Sequence, residues 1–112
     1  MLTIDSLKAL GADTDEGLAR CLNNEEFYLR MVGMALSGDA YEKLRKTVES
    51  GDLDGGFEKA HALKGVLTNI SLTTLAAPVI EITEALRSRR DIDYSELLDR
   101  IDAELKRYRE LV

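Results

Sequence analysis

The segment KAHALKGVLTNISL, residues 59–72, holds the one histidine of this chain, with Lys64 three residues beyond it and Gly65 four. Each of these residue types bears on a single chemistry. A neutral imidazole near pH 7 is a competent nucleophile, whereas a protonated one is not. A lysine within one helical turn can offset the negative charge of a phosphoryl group in transit. An exposed mid-helix glycine costs about 1 kcal/mol relative to alanine. That cost has an explanation if a bulky group, or a partner's loop, has to come close to His61. From the spacing alone, an ordinary surface histidine beside a tolerated glycine accounts for the pattern as well as a phosphoryl acceptor does.

For His61 to react, its helix has to turn it away from the core. At about 100° per residue, Leu53, Phe57, Ala60, Leu63, Leu67 and Ile70 fall within one broad apolar sector. His61 lies roughly 140° from the middle of that sector, on the open side. Lys64 sits between the two, where its stem can cover apolar surface and leave the ammonium free. Gly65 neighbours His61 one turn on, and Thr68 continues the strip. Glu58, one turn before His61, reads as a solvated carboxylate rather than a partner of the ring. Asn69 reads as an interface or helix-end residue.

The elements that position this strip are helices separated by turn signals. LTIDSLKALG is a short helical pattern stopped by Gly11. Asp13 or Thr14 can cap DEGLARCL. Asn24 caps EEFYLRMVGMAL, where Phe27, Met31 and Met34 share a face. Gly38 ends that helix, and Asp39 with Glu42 has capping-box spacing for AYEKLRKTVES, whose inner side is Tyr41, Leu44 and Val48. Asp52 caps the helix of His61, which runs to about Ile70. Ser71 is expected to cap LTTLAAPVIEITEALRSRR, in which Pro78 removes a backbone donor and should kink the helix. SELLDRIDAELKRYREL places Leu97, Ile101, Leu105 and Tyr108 inward, with Glu96–Arg100 and Asp102–Lys106 pairs expected on the solvent face. Short links favour antiparallel neighbours. The expected fold is all-α, an antiparallel up-down four-helix bundle with short additional N-terminal helices, residues 1–112 forming one domain.

Composition narrows the function. Hydrophobic residues make up 45% and charged residues 32%, enough apolar material for a core. A net charge of −6 with no basic stripe argues against nucleic acid as a partner. Basic residues do cluster, at Lys43, Arg45 and Lys46, at Lys59 and Lys64, and at Arg87, Arg89 and Arg90. Taken separately each cluster reads as a solvated helix face, and together they could meet an acidic partner through contacts that weaken with salt. Cys21 is the one cysteine, so neither an intrachain disulfide nor a cysteine-based metal site is possible. One histidine cannot supply the usual di-metal set of a bundle core. No metal is expected. Asp5 and Lys8 interrupt the start of the chain where a signal peptide needs an apolar run, and no stretch approaches the roughly 20 apolar residues of a membrane span. A cytoplasmic, free-standing monomer without membrane contact is the expectation.

AHALKGVLTNIS resembles the phosphoacceptor segment of histidine-containing phosphotransfer (HPt) domains, approximately H-x-L-K-G followed by small residues and a glycine. His61, Leu63, Lys64 and Gly65 match, and Asn69 and Ile70 fit the family. GLARCLNNEEFYLRMVGMAL followed by YEKLRKTVESGD is similar to the upstream helices of bacterial single-domain members. The likeness covers most of the chain, the last helix in character only. Ser71 stands where the family usually has glycine, and Leu67 where serine or alanine is common. Pro78 is also less usual.

The resemblance implies a four-helix bundle whose exposed histidine shuttles phosphoryl groups in two-component signalling. The donor would be a phosphoaspartate on one receiver domain and the acceptor an aspartate on another. His61 would be the phosphoacceptor through Nε2, Lys64 would stabilise phosphoryl charge, and Gly65 would give steric access. Response-regulator receiver domains and hybrid histidine kinases would be the partners, with the receiver supplying magnesium, so that the chain would need no cofactor of its own. The chain would be a phosphoryl carrier rather than an enzyme, and it lacks the Gly-rich nucleotide loop of a kinase. The competing expectation is a docking module that binds a receiver or kinase domain without phosphotransfer.

Overall fold

The computed structural model covers residues 1–112 and contains seven α-helices and no strand. They are α1 (Ile4–Ala9), α2 (Thr14–Arg20), α3 (Glu25–Leu36), α4 (Ala40–Glu49), α5 (Leu53–Asn69), α6 (Thr73–Arg87) and α7 (Ser95–Arg109). Four of the starts follow from side-chain chemistry. Thr3, Asp13, Asn24 and Asp52 each accept a hydrogen bond from a backbone N–H in the first turn of the following helix, satisfying donors that a helix leaves without an internal partner. Gly11, Gly38 and Gly51 take positive φ at the exits of α1, α3 and α4.

Consecutive members of α4–α7 pack side by side, α4 on α5, α5 on α6 and α6 on α7. Arg45 on α4 closes the ring by reaching Asp99 and Asp102 on α7, at 2.7 and 2.8 Å. These four helices form the bundle. Its core includes Tyr41, Leu44 and Val48 of α4, Ala60, Leu63 and Leu67 of α5, and Leu97, Ile101, Leu105 and Tyr108 of α7, the inward faces expected from periodicity. Helix α6 contributes the most, from Leu75 to Leu86, and runs continuously through Pro78. No helix is long and apolar enough to cross a membrane.

The N-terminal helices brace the turn between α5 and α6. The Tyr28 hydroxyl donates to the Ile70 carbonyl at 2.8 Å, and the Asp13 N–H to the Ser71 carbonyl at 3.0 Å. The Thr74 hydroxyl donates to the Leu10 carbonyl at 3.0 Å, and Arg20 donates to the carbonyl of Thr68. Burial pushes the Tyr28 hydroxyl up to about 12, so it stays a protonated donor. In α3 the core face is Tyr28, Val32 and Leu36. The shared face of Phe27, Met31 and Met34 is a different one, with Phe27 and Met34 exposed.

Three local expectations need correction. Ser71 does not cap α6, whose N-cap is Leu72 without a side-chain cap bond. With φ of 57°, Ser71 is the left-handed residue that ends α5. Its N–H donates to the Thr68 carbonyl and the Leu72 N–H to the Leu67 carbonyl, a Schellman motif in which glycine is favoured because it has no Cβ to clash. Asp39 makes no cap bond; it pairs with Lys43 at 3.5 Å, while Glu42 pairs with Arg109 at 3.0 Å. Neither pair expected along α7 forms, although Glu104 does pair with Arg107 on that helix at 3.0 Å. Asp102 meets Arg45, and Arg100 meets Glu81 at 2.8 Å.

Gly17 marks the tightest point of the N-terminal brace. A Cβ there would lie 2.5 Å from the fully buried Tyr28 ring. Gly17→Ala should therefore destabilise the fold by about 1–3 kcal/mol through overpacking, against its better helix propensity. Thermal unfolding followed by circular dichroism checks this, and an unchanged or raised melting temperature would show that the junction has room for a methyl group.

Candidate functional site

Helix α5 fits between α4 and α6 because its inner stripe is small near its start and branched further on. A Cβ on Gly56 would sit 2.8 Å from Val48 Cγ2 and 3.6 Å from Leu86. Ala60 is fully buried one turn later, followed by Leu63 and Leu67. The departure at position 67 is thus absorbed by the core. This packing sets the rotation of α5 and leaves His61 and Gly65 exposed on the far side, with Lys64 half-buried between the two faces. The Thr68 hydroxyl bonds back to the Lys64 carbonyl at 2.8 Å. Asn69 is the last residue of the helix and is exposed.

Neither ring nitrogen of His61 has a hydrogen-bond or ion-pair partner within the chain. Glu58 makes no contact of either kind with the ring. His61 is instead stacked on Phe57, one turn earlier, with ring centroids 5.6 Å apart and planes 20° from parallel. The same phenyl ring carries the Arg87 guanidinium of α6, 5.3 Å from its centroid. Phe57, part of the apolar sector that the spacing predicts, borders the core while remaining half-buried. Its contact with His61 was missed, although the four-residue spacing on one helix was the available signal.

Space and charge around the ring are uneven. A Cβ added at Gly65 would meet no atom within 4 Å. Beside it runs a shallow apolar groove between α3 and α5, lined by Met31, Met34, Leu63, Gly65, Val66 and Ile70 among others. Its continuation toward α4 is bordered by Lys43 and Lys59. Sequence reading placed Met31 and Met34 on a common face but did not connect them with Gly65. The useful signal was that α3 carries more apolar surface than one buried stripe requires. Among the basic clusters, Arg45 is bound by Asp99, Asp102 and Glu49, and Arg89 pairs with Asp54. Lys59 and Lys64 pair with no carboxylate, so their charge remains available near His61. No three His, Cys, Asp or Glu side chains converge as metal ligands.

The arrangement is an accessible nucleophile with a cation and a bare patch of helix beside it. A comparison with protein-family models matches the Hpt domain over residues 29–111. No curated protein and no solved structure matches the chain. The match spans more than half of the sequence, and the chain belongs to the Hpt domain family. Membership implies histidine phosphotransfer in two-component phosphorelays, as a phosphocarrier module that interacts with receiver domains and kinases.

The open space at Gly65 gives a stability prediction of opposite sign to that at Gly17. Gly65→Ala should stabilise the fold by up to about 1 kcal/mol, the propensity difference at an unobstructed helix position. A lowered melting temperature in that variant would contradict the geometry.

Proposed function

We propose that this Hpt-family chain relays phosphoryl groups between receiver domains through His61, and that residues 1–112 act as one module in doing so. The observation that carries the reading is His61 itself, exposed on a helix whose opposite face is locked in the core, with both ring nitrogens free and open space at Gly65. One imidazole nitrogen attacks the phosphorus of a receiver phosphoaspartate. The N–P bond forms as the acyl O–P bond breaks, the aspartate carboxylate leaves, and the ring's displaced proton passes to solvent. Transfer to a second receiver reverses these events on a new aspartate.

Lys64 supports the step through charge. Its half-buried stem runs along the edge of the core, and its ammonium is free to approach the equatorial oxygens of the phosphoryl group. Gly65 supports it by absence, because a bulky acyl phosphate and its surrounding loops have to reach the helix surface. The groove of Met31, Met34 and Val66 gives a receiver an apolar seat, while Lys59 offers its acidic rim positive charge.

The test is transfer from a phosphorylated receiver domain to the wild-type chain and to His61→Gln, scored as acid-labile, alkali-stable label. His61→Gln is expected to lose all label while keeping its helical circular dichroism. Label retained by that variant would remove His61 as the acceptor. Receiver binding without label on the wild type would instead favour a docking module. Lys64→Ala is expected to slow transfer by about tenfold, equivalent to about 1.4 kcal/mol of barrier, without abolishing it. An unchanged rate would take the charge role away from Lys64.

A further inference from the structure

We infer that Phe57 is a positioning residue for His61, orienting the imidazole for attack by holding it through its face. The inference rests on the reading of His61 as the phosphoacceptor and adds what aims the ring. An imidazole nitrogen attacks through a lone pair lying in the plane of the ring, so a hydrogen bond that orients the ring at an edge engages one of its two nitrogens. A stack orients the ring and engages neither. His61 shows this arrangement, with no hydrogen-bond or ion-pair partner at either nitrogen and a near-parallel phenyl ring 5.6 Å away, within the usual range of offset aromatic pairs.

Phe57 is suited to the task because it is itself held. It lies on the same helix as His61, one turn earlier and toward the apolar sector, where it packs against the core. Arg87, from α6, approaches its ring at 5.3 Å and is also paired with Glu84 at 3.6 Å. The orientation of the imidazole is thereby tied to the packing of α5 against α6. A leucine at position 57 would keep the apolar contact but remove the flat surface. A tyrosine would keep both.

Potassium phosphoramidate tests the effect without a protein partner, so docking cannot contribute. In this reaction an imidazole nitrogen forms the N–P bond, the P–N bond of phosphoramidate breaks, and ammonia leaves and takes up the ring's displaced proton as ammonium. Wild type, His61→Gln, Phe57→Leu and Phe57→Tyr are compared by labelling rate and by the NMR signals of the His61 ring protons. The expectation is that Phe57→Leu labels more slowly by roughly two- to tenfold, the range that corresponds to one aromatic pair, and loses the ring-current displacement of those signals. Phe57→Tyr should restore both. Phe57→Met replaces Phe57→Leu in the comparison if the leucine variant loosens the bundle.

A wild-type rate in the variant lacking the stack overturns the inference, as does a tyrosine variant that is slowed equally. Equal labelling of the wild type and His61→Gln, or no labelling of either, overturns the acceptor reading itself. The stack then has no reaction to serve. Loss of the ring-current displacement with an unaltered rate would make Phe57 a packing residue only.

Discussion

The rotational setting of α5 is the constraint on which the other features depend. A helix has one azimuth for each residue, so fixing Gly56, Ala60, Leu63 and Leu67 against α4 and α6 fixes the direction of every other side chain. The small residue at position 56 allows close approach to Val48 and Leu86, and the leucines later in the stripe are buried in the core. A turn of the helix by one residue would bring His61 toward the core and expose Ala60. Such a turn would bury a polar ring and strand apolar surface, both unfavourable. The accessible histidine is therefore a consequence of core packing on the reverse face.

That azimuth is defended at the far end of α5. The Schellman turn at Ser71 stops the helix, and Tyr28, Asp13 and Arg20 bind the carbonyls of Ile70, Ser71 and Thr68. These bonds come from α2, α3 and the segment before α2, and the residues before 29 lie outside the family match. The N-terminal helices thus add constraints to the helix that bears His61 without approaching the ring. Gly17 and Gly65 show how differently one residue type can be used here. Gly17 is required because a phenol ring fills the space a side chain would occupy, whereas at Gly65 nothing occupies it. Packing explains the first and leaves the second without a structural reason, which is why Gly65 enters the proposed function.

Much of this was legible in the sequence because it rests on periodicity and local capping. The inward faces of α4, α5 and α7, the caps at Asp13, Asn24 and Asp52, and the exposure of His61 are all local consequences of helical spacing. What failed depended on partners distant in the chain. Arg45 draws Asp102 from α7 and Arg109 draws Glu42 from α4, so pairs expected within one helix form between helices. Ser71 can cap a helix by composition, but the chain needed a left-handed residue at that point, and backbone geometry took precedence over side-chain chemistry. The apolar groove beside Gly65 was hidden for a similar reason. Periodicity locates faces on α3, but it does not say which of two apolar faces the neighbouring helices will cover.

The site's simplicity has a consequence for where catalysis resides. Buried reactive groups draw their power from fixed dipoles and excluded water, and His61 has neither. Its ring nitrogens lack internal partners, and its closest organised neighbour is an aromatic face. A nucleophile in that state depends on its partner to align the phosphorus and exclude water, whatever charge Lys64 adds. For a relay the dependence is useful. If His61 carries the phosphoryl group as proposed, no side chain bonded to the ring is in place to direct water at the phosphorus between encounters. Reactivity then rises above its resting level when a receiver covers the open surface beside Gly65. Under the proposed relay, directional control lies in which partner docks, and the bundle contributes a nucleophile held at a fixed azimuth with its reacting edges left free.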